Sequence, residues 1–157
     1  LSRAYRAMEE KLANSWAGRE LGLPLAGPYE ALILASIIER ESGVDEERGR
    51  ISGVLTNRLR QNMPLQVDPT VIYGLGPSFD GDLRSDHLKM DGPYNTYRRR
   101  GLPPTPISNP GLKSLQAAVR PVETTHMFFV ARGDGRHEFS ETLEEHHHAV
   151  RRHQVPR

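Results

Sequence analysis

An α+β domain is the fold class this sequence predicts: mostly helical, with a small antiparallel sheet formed by a C-terminal hairpin, and a long functional loop. Three observations carry the prediction. Apolar residues recur with helical period from Leu1 to about Trp16, and two further helices are readable between Tyr29 and Gln61. The pattern changes at Thr125 to a run of β-formers that ends at Gly133-Asp134-Gly135, a turn signal. Helical spacing then resumes from about Glu141 to His153, so helices and hairpin are segregated along the chain rather than alternating.

Each element has its own justification. Leu1, Ala4, Tyr5, Met8, Leu12 and Trp16 form one apolar stripe, which predicts a docked amphipathic helix. Gly18 to Pro28, with its Gly and Pro residues, reads as a connecting loop. A buried helix should follow from about Tyr29 to Ser42, because Ala31 to Ile38 is almost wholly apolar, and Gly43 suits the left-handed conformation that ends helices. Asp45, Glu46 and Glu47 complement the start of a third helix that runs to about Gln61. Asp68-Pro69 and Asn109-Pro110 both read as a cap followed by Pro in the first turn, so short helices are expected at Thr70 and after Pro110. The segment between them, Gly74 to Asn109, is too long and too rich in Tyr and rigid Pro pairs for a passive linker, and reads as functional.

Composition bounds the function. The 157 residues suit one compact domain, 1–157. Lys plus Arg number 21 against 20 Asp plus Glu, so the net charge of +1 gives no general attraction to nucleic acid or to an anionic membrane. Cysteine is absent, which excludes disulfides and thiol chemistry. No apolar run approaches the ~20 residues that span a bilayer, and the chain opens directly in an amphipathic pattern, so a soluble fragment of a longer protein is expected.

Glu41 is the first candidate for catalysis. It stands at the polar end of the apolar helix, where core meets surface, and a half-desolvated carboxyl there would have the raised pKa a general acid needs. An exposed helix-end glutamate is the ordinary alternative. Glu39 cannot be its partner across one bond, because residues two apart on a helix point roughly 200° apart; it should face the basic side chains of the next helix. Asp68 could be a second acid but is also explained as a cap. Gln66 lacks such an explanation and is a candidate ligand for substrate. Tyr94, Asn95 and Tyr97 alternate aromatic and amide groups as sugar-binding surfaces do, with packing of the loop as the alternative. Ser42 offers a hydroxyl to orient the acid. His146, His147 and His148 project about 100° apart and cannot converge on one metal ion, so a solvated helix face is expected. His126 and His137 are placed to pair across the hairpin. No HExxH, nucleophile elbow or phosphate loop is present.

Several segments in order, Ala35-Ser36-Ile37-Ile38-Glu39-Arg40-Glu41-Ser42, Asn57-Arg58-Leu59, Leu65 to Gly74, Tyr94-Asn95-Thr96-Tyr97, Gly101-Leu102-Pro103-Pro104, Asn109-Pro110-Gly111, and Phe128 to Ala131 with Gly133, Gly135, His137 and Phe139, resemble the endolytic murein transglycosylases, the YceG-like family. The resemblance covers nearly the whole chain. It implies a bacterial enzyme that cuts the β-1,4 bond between N-acetylmuramic acid and N-acetylglucosamine in nascent peptidoglycan and leaves a 1,6-anhydro end. It also implies Glu41 as the catalytic acid, no metal or organic cofactor, and glycan strands as the partner, with peptidoglycan synthases as further partners. The location implied is the periplasmic face of the cytoplasmic membrane, reached through an N-terminal anchor. Neither that anchor nor the LysM-like portion typical of the family is visible in this sequence. Many relatives carry Thr where this chain has Ser42, which keeps the hydroxyl. Two other readings stay open: a glycan-binding or scaffold domain that does not cut, and a lysozyme-like hydrolase with Asp68 as its second carboxylate.

Overall fold

Residues 2–153 are described by the computed structural model. Leu1, which the sequence places on the first apolar stripe, lies outside them. Helix α1 (Arg3–Ala17) is started by Ser2, whose hydroxyl accepts the Tyr5 N–H. Its half-buried face, Met8 and Leu12, packs against the core. Helix α2 (Pro28–Glu41) is the centre of the domain, with Ala31 and every residue from Ile33 to Ile38 buried. A single 3₁₀ turn, Asp45–Glu47, leads into α3 (Arg48–Arg60). Then follow α4 (Asp68–Leu75), the short α5 (Ser85–Lys89) and α6 (Leu112–Val119). Strands β1 (Phe128–Ala131) and β2 (His137–Ser140) pair antiparallel with Phe128 opposite Ser140 and Ala131 opposite His137, and α7 (Leu143–His153) packs on that hairpin. The α+β prediction holds, with a two-stranded sheet as its β part.

The core forms where α2 meets α6 and α3. Leu34, Ile37, Ile38, Ile51, Leu55 and Leu115 are fully buried in one cluster. Burying side chains of this size is worth about 1.5–3 kcal/mol each, which is what fixes α2 and hence the residue at its end. Thr142 and Glu145 start α7 with a reciprocal cap: the Thr142 hydroxyl accepts the Glu145 N–H, and the Glu145 carboxylate accepts the Thr142 N–H.

Three local expectations give way to longer-range contacts. Gly43 is not left-handed; α2 ends with Ser42 in extended geometry. Glycine is required there because a Cβ would overlap the backbone carbonyl of Gly135 in the hairpin turn. Asp68 is the first helical residue of α4 rather than its cap, and its carboxylate accepts the Tyr97 hydroxyl at 2.5 Å. Helix α6 starts two residues later than Asn109-Pro110 predicts, with Gly111 as its cap. The capping group comes from α2: Glu39 accepts the Gly111 N–H at 2.9 Å and the Ser114 hydroxyl at 3.0 Å, and lies 3.5 Å from Arg48. These partners, the Gly111 N–H above all, hold the Glu39 carboxyl below the ordinary glutamate range. Glu39 therefore faces the basic side of α3, as its position on the helix requires.

Candidate active site

The burial of α2 presents Glu41 at one wall of a cleft of about 450 Å³. The facing wall is the turn Leu65-Gln66-Val67 with Asp68 at the start of α4, and Tyr97 closes that side. Phe129, Val130 and Ala131 of β1, His137 of β2, and His146 and Val150 of α7 form the far end. The apolar strand residues together with the charged, amide and hydroxyl side chains suit a ligand with both apolar and hydroxyl-bearing faces.

Glu41 makes no hydrogen bond through its carboxyl with any other described residue. Its side chain keeps some access to solvent, yet protein surrounds the carboxyl. Burial first, and the charge of Asp68 second, push its pKa from 4.5 up to about 8. A carboxyl in this state holds its proton at neutral pH and can deliver it to a leaving oxygen. Once ionised, the same group is a strong base for a carboxylate. Asp68 differs in that the Tyr97 hydroxyl already occupies one of its oxygens.

Gln66 sits in the left-handed region, with φ of 55°, which is uncommon for a residue with a Cβ. Thr96 holds it there. The Thr96 carbonyl accepts the Gln66 N–H, and the buried Thr96 hydroxyl accepts the Val67 N–H at 3.0 Å and meets the Thr70 hydroxyl at 2.9 Å. The exposed Gln66 side chain lines the cleft, so the backbone distortion turns an amide toward any ligand there.

Comparison with known proteins fits this geometry into a family: the YceG-like family model matches residues 1–152. The chain belongs to the YceG-like family. The endolytic murein transglycosylase of Bacillus subtilis (strain 168) is 44% identical over 121 residues, which are 77% of this chain and 33% of that protein. The protein of the same name from Streptococcus pneumoniae serotype 2 (strain D39 / NCTC 7466) is 32% identical over 130 residues, 79% of this chain and 23% of that protein. A 2.6 Å crystal structure of a YceG-like protein from Listeria monocytogenes superposes with a TM-score of 0.75 at 37% identity, covering 91% of this chain and 44% of that one. The chain thus spans a third or less of the curated relatives it matches.

Within this YceG-like domain the cleft gathers Glu41, Gln66, Asp68 and Tyr97, but not three other residues singled out from sequence. Asn95 is buried and its side chain is fully engaged: the amide N–H groups donate to the Leu88 and Met90 carbonyls at 3.0 and 2.6 Å, and its oxygen accepts the Tyr97 N–H at 2.9 Å. It folds the loop that aims Tyr97. Tyr94 bonds Thr105 and packs on Tyr73, away from the cleft. The Ser42 hydroxyl is buried with no partner among the described residues, so it does not hold the acid.

Three cleft residues were not assigned to the site by the sequence reading. Arg58 falls on the buried face of α3 with Ile51, Val54 and Leu55, and that i, i+3, i+4, i+7 spacing was the available signal. Its guanidinium donates to the Met127 and Pro64 carbonyls, both at 2.7 Å, and burial lowers its pKa below the ordinary arginine value. His146 does not join a solvated face with His147 and His148. Its ring stacks on Phe128 at 5.0 Å, and burial lowers its pKa. His137 does not pair with His126, which instead stacks on Phe139. It is claimed by Glu47, whose carboxylate accepts its backbone N–H at 3.1 Å and lies 2.9 Å from ring Nδ1. Both side chains are 6% exposed. Replacing Glu47 by Ala would leave a buried N–H and ring nitrogen unpaired, and should cost about 2–4 kcal/mol, read as a lower urea midpoint with an unchanged slope.

Proposed function

We propose that this domain is the catalytic part of an endolytic murein transglycosylase. It would cut the bond between N-acetylmuramic acid and N-acetylglucosamine within nascent strands and so end glycan elongation. The observation that carries the reading is Glu41, a carboxyl at the wall of a cleft with no hydrogen-bond partner among the described residues, where burial and the charge of Asp68 push its pKa up to about 8. In the proposed reaction Glu41 gives its proton to the glycosidic oxygen as the bond to C1 breaks. The C6 hydroxyl of the same muramic acid attacks C1 and closes the 1,6-anhydro ring. The hydroxyl proton passes to the Glu41 carboxylate, which restores the acid without consuming water. Gln66 and Tyr97 line the cleft beside it and supply amide and aromatic contacts for the sugars.

The names of the relatives support glycan strands of murein as substrate. The site of action we infer is the periplasmic face of the cytoplasmic membrane, beside the enzymes that synthesise the strands. No helix among the described residues is long and apolar enough to cross a membrane. A hydrolytic reading is favoured by one observation: Asp68 lines the same cleft and its charge acts on Glu41, as a second carboxylate would. Mass spectrometry of the cut strands separates the two. Anhydro ends are expected; products heavier by one water would establish hydrolysis, and uncut strands would leave a binding domain.

A further inference from the structure

A second hollow of about 420 Å³ adjoins the cleft, and His137 lines both. That shared residue is fixed in place by Glu47, so it forms a rigid divider between the two spaces. The second hollow is basic. Arg50, Arg132 and Arg152 line it against a single acidic residue, Glu138. Arg152 and His153 are already bonded to Glu138, and Arg132 lies 3.3 Å from Asp134. Arg50 is different. Its guanidinium lies 4.0 Å over the Phe139 ring and makes no ion pair with any described residue. The aromatic face orients its planar fork while leaving its in-plane N–H groups unspent.

An oriented guanidinium without a counterion among the described residues, in a concave basic site, is suited to a carboxylate. In a peptide-bearing strand the lactyl carboxyl of each N-acetylmuramic acid is tied up in the amide bond to its peptide, so the sugars there carry no charge for this hollow to prefer. Murein's carboxylates are on the peptide carried by each N-acetylmuramic acid, a branch that leaves the strand sideways. We propose that the second hollow binds a carboxylate of that peptide, with Arg50 as the principal contact, so that the domain takes strands with free peptide carboxylates in preference to strands whose peptides are neutral. This rests on the murein reading of the cleft and names the part of the substrate that lies outside it.

The test is a binding measurement made with the Glu41→Gln protein, so that it does not depend on cleavage. Purified uncrosslinked strands are compared with the same strands after their peptide carboxylates are converted to amides. The free carboxylates should bind about ten-fold tighter, the scale of one charge-assisted hydrogen-bonded pair. Adding Arg50→Gln should bring the ratio to near one, and Arg50→Lys should keep part of it, which separates lost charge from lost packing on Phe139. A ratio near one with Arg50 intact overturns the proposal, as does a ten-fold ratio that survives Arg50→Gln. Should the ten-fold ratio appear while the parent protein cuts no strand, the hollow stands and the catalytic reading falls.

Discussion

Replacing Glu41 by Gln should lower the rate of strand cleavage by about 10²–10⁴-fold, the range of a lost general acid, while leaving the protein folded. Gln reproduces the shape and neutrality that the protonated carboxyl has at pH 7, so binding should persist as chemistry is lost. The parent protein carries a matching pH signature. Its rate should fall as pH rises through about 8, where Glu41 loses its proton. Stability gives an independent readout whose sign follows from the same shift. The folded protein keeps a proton on Glu41 that the unfolded chain releases near 4.5, so parent stability should decline, relative to Glu41→Gln, from about pH 4.5 to about pH 8. With allowance for solvent at the mouth of the cleft, the total is on the order of 2–4 kcal/mol. Melting curves of the two proteins at pH 5 and pH 8 measure it. Parallel pH dependences would mean that Glu41 is ionised throughout and cannot be the acid.

Arg58→Ala should be the most destabilising single change outside the apolar core. The guanidinium ties three separate segments: α3, which carries it, the Pro64-Leu65 turn leading to Gln66, and Met127 at the approach to β1. It also lies 4.9 Å from the Phe128 ring. Truncation leaves the carbonyls of Pro64 and Met127 without their donor and opens a cavity, for an expected loss of about 3–5 kcal/mol. In a domain of this size that is a fall of roughly 10–15 °C in Tm. Arg58→Lys keeps a charge but donates from a single nitrogen, so it should recover only part. A melting point within 2 °C of the parent would show that water replaces the guanidinium at little cost, and that the tie is weak (about 1 kcal/mol or less).

What the sequence disclosed was periodic or local. Helix α2 was readable because its apolar run is long, and the hairpin because the switch to β-formers is followed by a glycine turn. The place of Glu41 at the cleft wall was readable because it ends an apolar helix. Errors arose where a local rule competed with a distant partner. Asp68 before Pro69 has the form of a cap, but the Tyr97 hydroxyl, 29 residues away, takes the carboxylate. Asn109-Pro110 has the same form, but Glu39, 72 residues before Gly111, does the capping. Asn95 resembles a sugar ligand because an amide's use can be judged only with its loop closed around it. His137 and Arg58 stayed hidden for the same reason: their meaning lies in Glu47 and in carbonyls that no spacing predicts.

The contact between Gly43 and Gly135 bears on how the molecule tolerates change. Each glycine is two residues from a cleft residue, Glu41 on one side and His137 on the other. The turn Gly133-Asp134-Gly135 is exposed, small and polar, the kind of loop tip that usually accepts an inserted tag or peptide. Here its backbone is also the abutment for the end of α2. Lengthening the turn would lift the hairpin off the helix and separate the acid from the strand residues at the far end of its cleft, so grafts belong elsewhere. The exposed stretch from Asp80 to Asp82, with Gly81 in open space, has no such backing.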